Sequence, residues 1–286
     1  MNVLSVDVED YFQVEAFSDL VDRSCWEGYA CRVEANTRRV LELLAECGVR
    51  GTFFLLGWVA ERYPGLVREI VAAGHEPACH SYWHRLVYHL NATEFREDTL
   101  RAKQVIEQAA GRAVYGYRAP SFSITRESLW AFQVLVECGF RYDSSVFPIR
   151  HDLYGIPRAP RFPFRIATPS GTLVEYPSTT FRLLGQNLPV GGGGYLRILP
   201  FWYTRLGLRR AKEDRLPLIV YVHPWETDPE QPRLKGRFRS RLRHYTNLKK
   251  TCARLRRLLG SDKFTSFETS ALEEGAREVV SLAALQ

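Results

Sequence analysis

Short runs of β-branched and aromatic residues alternate along this chain with longer segments whose apolar residues recur every three or four positions. Residues 2–8 alternate and read as a strand running into an acidic cluster. Residues 34–47 place Val40, Leu43, Leu44 and Cys47 on one helical face, and Gly48 lies just past the end. The rhythm repeats as a strand over 51–56, a helix over 64–73 that stops at Gly74, and a strand over 76–79. A helix over 93–110, opened by Thr93-Glu94-Phe95-Arg96, ends at Gly111. A strand at 114–117, a helix over 126–138 and a strand at 140–142 follow.

Strand and helix in strict alternation with short connections predict parallel βα units, and so an α/β sheet or barrel. Between 149 and 194 the rhythm breaks: Pro and Gly become frequent and 173–176 reads as an isolated strand. An inserted loop or hairpin region is expected there, not a separate domain. The pattern then resumes with a helix over 200–212, an apolar strand over 218–222, a basic helix over 240–259 and a strand over 264–267. We expect one domain over 1–286, with a basic helical C-terminal segment around 233–260.

Length and composition fit a folded domain with a sizeable core: 286 residues, 45% hydrophobic and 25% charged. The start, MNVLSVDVEDYF, lacks the basic and apolar regions of a signal peptide, and no apolar run approaches the roughly 18 residues of a membrane span. The six cysteines show no CxxC spacing, which argues against a thiolate metal site or a disulfide framework. A cytoplasmic location is the resulting expectation. The net charge of +7 is local, because residues 233–257 hold eleven Lys/Arg and no Asp or Glu. Such a block is either a solvated helical face or a contact for an anionic polymer or membrane surface. No nucleic-acid-binding motif accompanies it, so nucleic acid is not expected.

The polar clusters fall at strand ends. Asp7, Glu9 and Asp10 close the first strand, His80 and His84 follow the third, and Arg118, Asp143 and His223 follow later ones. Functional groups of parallel barrels gather at the strand C-terminal ends, so these residues converge on one face. His80 and His84 are spaced i, i+4 and share one side if the segment turns helically. Two histidines and one carboxylate leave open positions on a divalent ion such as zinc, nickel or cobalt. Asp7, Glu9 and Asp10 offer more carboxylates than one ligand position needs, so one can bind metal while another acts as general base. His223 ends a strand expected to be buried and can protonate a leaving amine.

Several blocks together resemble the polysaccharide deacetylase family, the carbohydrate esterase group that contains chitin and peptidoglycan deacetylases. They are Leu4-Ser5-Val6-Asp7, residues 51–57, Ala73-Gly74-His75-Glu76 leading into His80-Ser81-Tyr82-Trp83-His84, Arg118-Ala119-Pro120, Tyr142-Asp143-Ser144-Ser145 and residues 218–223. They span roughly residues 1–225. The VDVEDYF start, Gly191-Gly192-Gly193-Gly194-Tyr195-Leu196-Arg197 and His244-Tyr245-Thr246-Asn247-Leu248 resemble the exosortase/PEP-CTERM-associated branch, linked to exopolysaccharide production. The resemblance implies an irregular (β/α) TIM-like barrel and metal-dependent hydrolysis of N-acetyl groups on an N-acetylated carbohydrate, with Zn2+ as the first expectation and Ni2+ or Co2+ as alternatives. It implies Asp7 as base, His80 and His84 as metal ligands, Arg118 as the group orienting Asp7, and His223 as general acid.

Two departures from the family pattern stand out. Val8 follows Asp7 where many members have a second, metal-binding Asp, so the ligand shifts to Glu9 or Asp10. Glu9 is preferred because i and i+2 share a strand face. The Asp that supports the catalytic His falls near Val146, so His223 lacks that partner or takes another such as Glu226. Tyr82, Trp83, Phe122, Tyr195 and Trp225, with Pro120, are candidates for a sugar-binding rim or for core. The glycines at 191–194 are a lid, a place for a polymer to approach the backbone, or a plain loop. Two rival functions are an allantoinase-like hydrolase of a small amide and a non-catalytic carbohydrate-binding protein.

Overall fold

The computed structural model describes residues 2–270 and 276–286. The strands are β1 (Asn2–Val8), β2 (Thr52–Leu55), β3 (Glu76–Cys79), β4 (Gly116–Tyr117), β5 (Tyr142–Asp143), β6 (Phe164–Thr168), β7 (Gly171–Glu175), β8 (Thr180–Leu183), β9 (Gln186–Pro189), β10 (Ile219–Val222), β11 (Phe264–Thr265) and β12 (Val279–Ser281). The helices are α1 (Val33–Glu46), α2 (Gly57–Arg62), α3 (Pro64–Ala72), α4 (Ala92–Ala110), α5 (Trp130–Glu137), α6 (Gly194–Ile198), α7 (Phe201–Glu213), α8 (Phe238–Tyr245) and α9 (Thr251–Leu259).

One sheet runs β10-β1-β2-β3-β4-β5-β7-β6-β12, with β11 beside β1. Its pairings among the described residues are parallel except β6 with β7. Beyond β7 the chain reaches β10, where Ile219 N–H donates to Thr179 Oγ1 at 2.6 Å and Thr179 N–H to the Ile219 carbonyl at 3.3 Å. The sheet therefore curls onto itself as the irregular (β/α) barrel that the resemblance implies, one of the two outcomes the strand–helix rhythm left open. Strand parity splits the core in two. Leu4, Val6, Phe53, Leu55 and Val220 pack outward against α1 and α4 through Val40, Leu44, Phe95 and Ile106. Val3, Phe54, Ala78, Tyr142, Val174 and Ile219 form the second cluster, on the opposite face of the same strands. Each such fully buried side chain contributes about 1.5–3 kcal/mol relative to exposure.

Local departures from the expected pattern have local causes. Helix α4 starts one residue earlier, at a capping box with the Asn91 side chain on Glu94 N–H and the Glu94 side chain returning to Asn91 N–H. The strand near 173–176 is not isolated, because β7 pairs with β5 and β6 inside the main sheet. The region holds two hairpins, β6–β7 within the main sheet and β8–β9 apart from it. The basic helix is divided into α8 and α9 at Asn247, whose left-handed backbone (φ 59°) lets its side-chain amide donate to the Arg197 carbonyl at 3.0 Å. Among the described residues no helix is long and apolar enough to cross a membrane.

The glycine run extends the barrel wall. Tyr221 N–H donates to the Gly191 carbonyl at 2.8 Å, and Gly193 N–H donates to the Tyr221 carbonyl at 2.9 Å. Gly192 bridges Tyr221 with φ 134°, and a Cβ there would sit 1.9 Å from the Tyr221 carbonyl oxygen. The close backbone approach is thus to the protein's own strand, not to a polymer, and the segment is not built as a lid. We predict that Gly192→Ala destabilises the fold by about 2 kcal/mol or more, because it combines positive φ with backbone overlap. Urea denaturation beside Gly185→Ala, where a Cβ meets nothing within 4 Å, checks this; equal losses would contradict the packing role.

Candidate metal and catalytic site

The period-2 alternation that buries Val3 also turns Ser5 and Asp7 into the barrel, and Ala78 and His80, or Ile219, Tyr221 and His223, follow the same parity. Glu9, one step past β1, meets His80 and His84. Their ligand atoms lie within 4.8 Å of one another, and all three residues are buried. Asp10 does not join them: its carboxylate accepts from Tyr11, Arg32 and Val33 N–H and so caps the start of α1.

The donor set fits a divalent cation. His80 Nδ1 is 2.7 Å from the Arg118 carbonyl, which can only accept, so the proton sits on Nδ1 and the Nε2 lone pair is left for a ligand. Burial pushes the His80 pKa down to about 4, which keeps the ring neutral. Glu9 Oε2 is buried with no hydrogen-bond partner, although His84 Nε2 lies 2.7 Å away. Desolvation opposes ionisation of Glu9, but His84, His223 and His80 outweigh it and bring its pKa to about 2. A carboxylate oxygen and two imidazole nitrogens converging without mutual hydrogen bonds match the ligand chemistry of zinc, nickel or cobalt.

The histidines do not converge through a helical turn. Ser81 (φ 64°) and His84 (φ 52°) are left-handed, and the loop is pinned by three clamps. Asp98 of α4 accepts from Tyr82 and Trp83 N–H at 2.7 and 3.2 Å. His84 N–H donates to Ser81 Oγ at 3.0 Å, and Arg23 donates to the Trp83 and His84 carbonyls at 2.7 and 3.1 Å. Asp98 falls on the buried stripe of α4 with Phe95 and Ala102. A carboxylate on an apolar stripe was the sequence signal for it.

Arg118 is fully buried and donates to Asp7 Oδ1 and Ser5 Oγ, both at 2.7 Å, and to the Ser144 carbonyl and hydroxyl. Asp143 stands behind it, accepting from Ser145 N–H and Oγ, while Ser145 Oγ accepts from Ala119 N–H. Asp143 therefore braces the Arg118 loop and does not reach the other site groups.

His223 Nε2 lies 4.0 Å from Asp7 Oδ2 and 3.7 Å from Glu9 Oε1. Its Nδ1 is 3.0 Å from Glu226 Oε2, and Glu226 Oε1 accepts from Arg197 Nε at 2.9 Å. Burial lowers the His223 pKa, but Glu226, with Glu9 and Asp7 behind it, overcomes this and raises it to about 9. Arg197 also donates to the Thr246 carbonyl at 2.7 Å. The glycine-rich and 244–248 segments, far apart in sequence, thus join at this arginine, and no spacing rule announced it.

A cavity of about 440 Å³ opens onto these groups, lined by Asp7, Glu9, His80, His84 and His223 among others. Of the expected rim, Trp225 and Phe122 line it. The Trp225 indole N–H donates to Glu9 Oε1 at 3.1 Å, and its ring stacks on His223 and His244. Tyr82 is buried in the outer layer with its hydroxyl between Glu61 and Arg101, and Trp83 packs on Trp26. Pro120 is buried beside the lining residues Ser121 and Phe122. Tyr195 reaches the wall only through Tyr154, hydroxyl to hydroxyl at 2.9 Å. Tyr154 and Tyr221 line the cavity without having been singled out from the sequence.

Comparison with known proteins meets this geometry where it is most specific. Residues 25–142 match the family model described as polysaccharide deacetylase, and these residues hold the histidine loop and Arg118. Residues 144–272 match a second model, a domain of unknown function (DUF3473), which contains Arg197, His223 and Glu226. A peptidoglycan-N-acetylglucosamine deacetylase of Bacillus cereus is 33% identical over 96 residues, 33% of this chain and 35% of that protein. A chitooligosaccharide deacetylase of Sinorhizobium fredii is 38% identical over 85 residues, 29% of this chain and 40% of that protein. The chain thus spans well under half the length of these curated relatives. The solved structure of a candidate polysaccharide deacetylase from Mycobacterium smegmatis superposes with a TM-score of 0.65, covering 95% of this chain and 88% of that one at 21% identity, and so shares the fold.

Among the residues that hold this site, Asp98 gives the most direct check on the histidine loop. We predict that Asp98→Ala lowers zinc affinity by about 10–100-fold, as loss of an outer-shell partner does. Chelator competition measures it, and unchanged affinity in a folded variant would show that the loop needs no such clamp.

Proposed function

We propose that this chain is a metal-dependent hydrolase that removes N-acetyl groups from an N-acetylated polysaccharide or oligosaccharide, cutting a non-peptide C–N bond. One observation carries the reading: the Glu9–His80–His84 cluster, Asp7 and His223 face a single cavity from separate strand ends. The names of the curated relatives support it.

A divalent ion on Glu9, His80 and His84, Zn2+ by preference over Ni2+ or Co2+, supplies Lewis-acid polarisation of the acetyl carbonyl and a more acidic water. Asp7 is held through Oδ1 by Arg118 and turns Oδ2 into the site, where it takes a proton from the attacking water. The water oxygen bonds to the acetyl carbon. His223, anchored through Nδ1, presents Nε2 and gives a proton to the departing sugar nitrogen. The products are acetate and a free amine. Glu226, itself held by Arg197, gives His223 Nδ1 a carboxylate partner, which supports a catalytic over a non-catalytic reading.

The segments at 191–197 and 244–248 support a place in the exosortase/PEP-CTERM-associated branch and in exopolysaccharide production. Cysteine usage supports a cytoplasmic location. The basic block at 233–257 supports an anionic polymer or membrane surface as partner.

Acetate release from N-acetylglucosamine oligomers tests the chemistry. Metal-stripped protein should be inactive, and added zinc, nickel or cobalt should restore turnover. Asp7→Asn and His80→Ala should each cost about 10²–10⁴-fold. Folded, metal-bound protein that releases no acetate, but opens a cyclic ureide, would favour the allantoinase-like alternative. Glu226→Gln should lower kcat about tenfold or more with little change in KM, because it disturbs the acid and not binding; a pure KM effect would remove it from the catalytic unit.

A further inference from the structure

Helix α8 has two faces. Phe238 and Leu242 point to solvent, 76% and 57% exposed, whereas Arg239, Ser240, Arg243 and the buried His244 line the catalytic cavity. Arg237 lines it too but is paired with Asp19 at 2.9 Å. Among the described residues, Arg239 and Arg243 have neither an ion-pair partner nor a hydrogen bond. Glu15 is the other acid of this rim, and it accepts from the Ser18 hydroxyl at 2.8 Å. Arg243 faces the 151–154 loop, where burial lowers the His151 pKa and raises that of Tyr154, and the Arg243 charge adds to the first shift and offsets part of the second. Two free guanidiniums therefore border the cavity that holds Asp7, His80 and His223. A neutral sugar polymer offers them hydroxyl and carbonyl acceptors but no opposite charge, whereas a carboxylate matches the guanidinium fork in both charge and geometry.

Resting on the proposed deacetylase reading, we propose that the substrate is an acidic N-acetylated polysaccharide, a sugar carboxylate of which is held by Arg239 and Arg243. A membrane surface is the weaker fit for these two residues, because they line the mouth of the cavity while the exposed apolar pair Phe238 and Leu242 lines a separate depression on α8.

The test compares two probes on the zinc-loaded full chain: N-acetylchitotetraose, and a tetrasaccharide alternating glucuronate with N-acetylglucosamine. Equilibrium binding to the Asp7→Asn chain is measured beside acetate release by the parent. The acidic probe should bind about tenfold more tightly, and the advantage should disappear near 1 M salt, where the Debye length is about 3 Å. The Arg239→Glu/Arg243→Glu double variant should abolish the ratio between probes, with its melting temperature checking the fold. Should Asp7→Asn not fold, KM values of the parent and double variant give the same ratio. Equal affinities, a preference that survives the double variant, or no binding of either probe would overturn the inference. So would sedimentation with phosphatidylglycerol vesicles that requires Arg239 and Arg243 without any preference between probes. Charge-dependent binding without acetate release would instead leave it standing and count against the deacetylase reading.

Discussion

A guanidinium buried at the centre of a barrel must be fully compensated, and Arg118 organises the site by that requirement. Removing a cation from water costs several kcal/mol, which good geometry and complete hydrogen bonding must offset. Asp7, Ser5 and Ser144 supply the acceptors, and the Phe54 ring lies 4.3 Å beneath the guanidinium carbon. The same residue's backbone carbonyl receives the His80 proton. One buried residue thus fixes the rotamer of the carboxylate proposed as base and the tautomer of a histidine proposed as ligand. Removing either Arg118 or Asp7 would leave the other as an uncompensated buried charge.

The requirement spreads outward. The Ser144 hydroxyl that accepts from Arg118 donates on to the Tyr176 carbonyl at 2.8 Å, while Asp143 holds the adjacent Ser145 and faces Glu175 across β5 and β7. Burial and the neighbouring Asp143 push the Glu175 carboxyl well above its ordinary value. The antiparallel β6–β7 pair is therefore part of the site's support although it lies in a region with little sequence signal.

A second buried arginine does similar work on the other wall. Arg197 brings together the glycine-rich segment, the Glu226 turn and the 246–247 break between α8 and α9. Gly192 permits this because its backbone presses on β10 where any side chain would collide. A carboxylate three residues after His223 thereby replaces one expected from a different strand. The same break separates α8 from α9, and α8 is the helix that sets two free arginines at the cavity rim.

The sequence by itself determined the strand–helix order, the strand-end position of Asp7, His80, Arg118 and His223, and the preference for Glu9. These follow from 2.0 and 3.6 periodicity and from where polar residues interrupt apolar runs. It did not separate Glu9 from Asp10 completely, since both are acidic and adjacent. Only the packing of α1 decided that, by drawing the Asp10 carboxylate onto its first N–H groups. It likewise left Tyr82 and Trp83 open between rim and core, and the left-handed turn at Ser81 settled them as core. Arg197 and the free Arg239 and Arg243 became legible only in three dimensions. Their partners, or lack of partners, lie on elements tens to hundreds of residues away, and local periodicity carries no information about contacts at that separation.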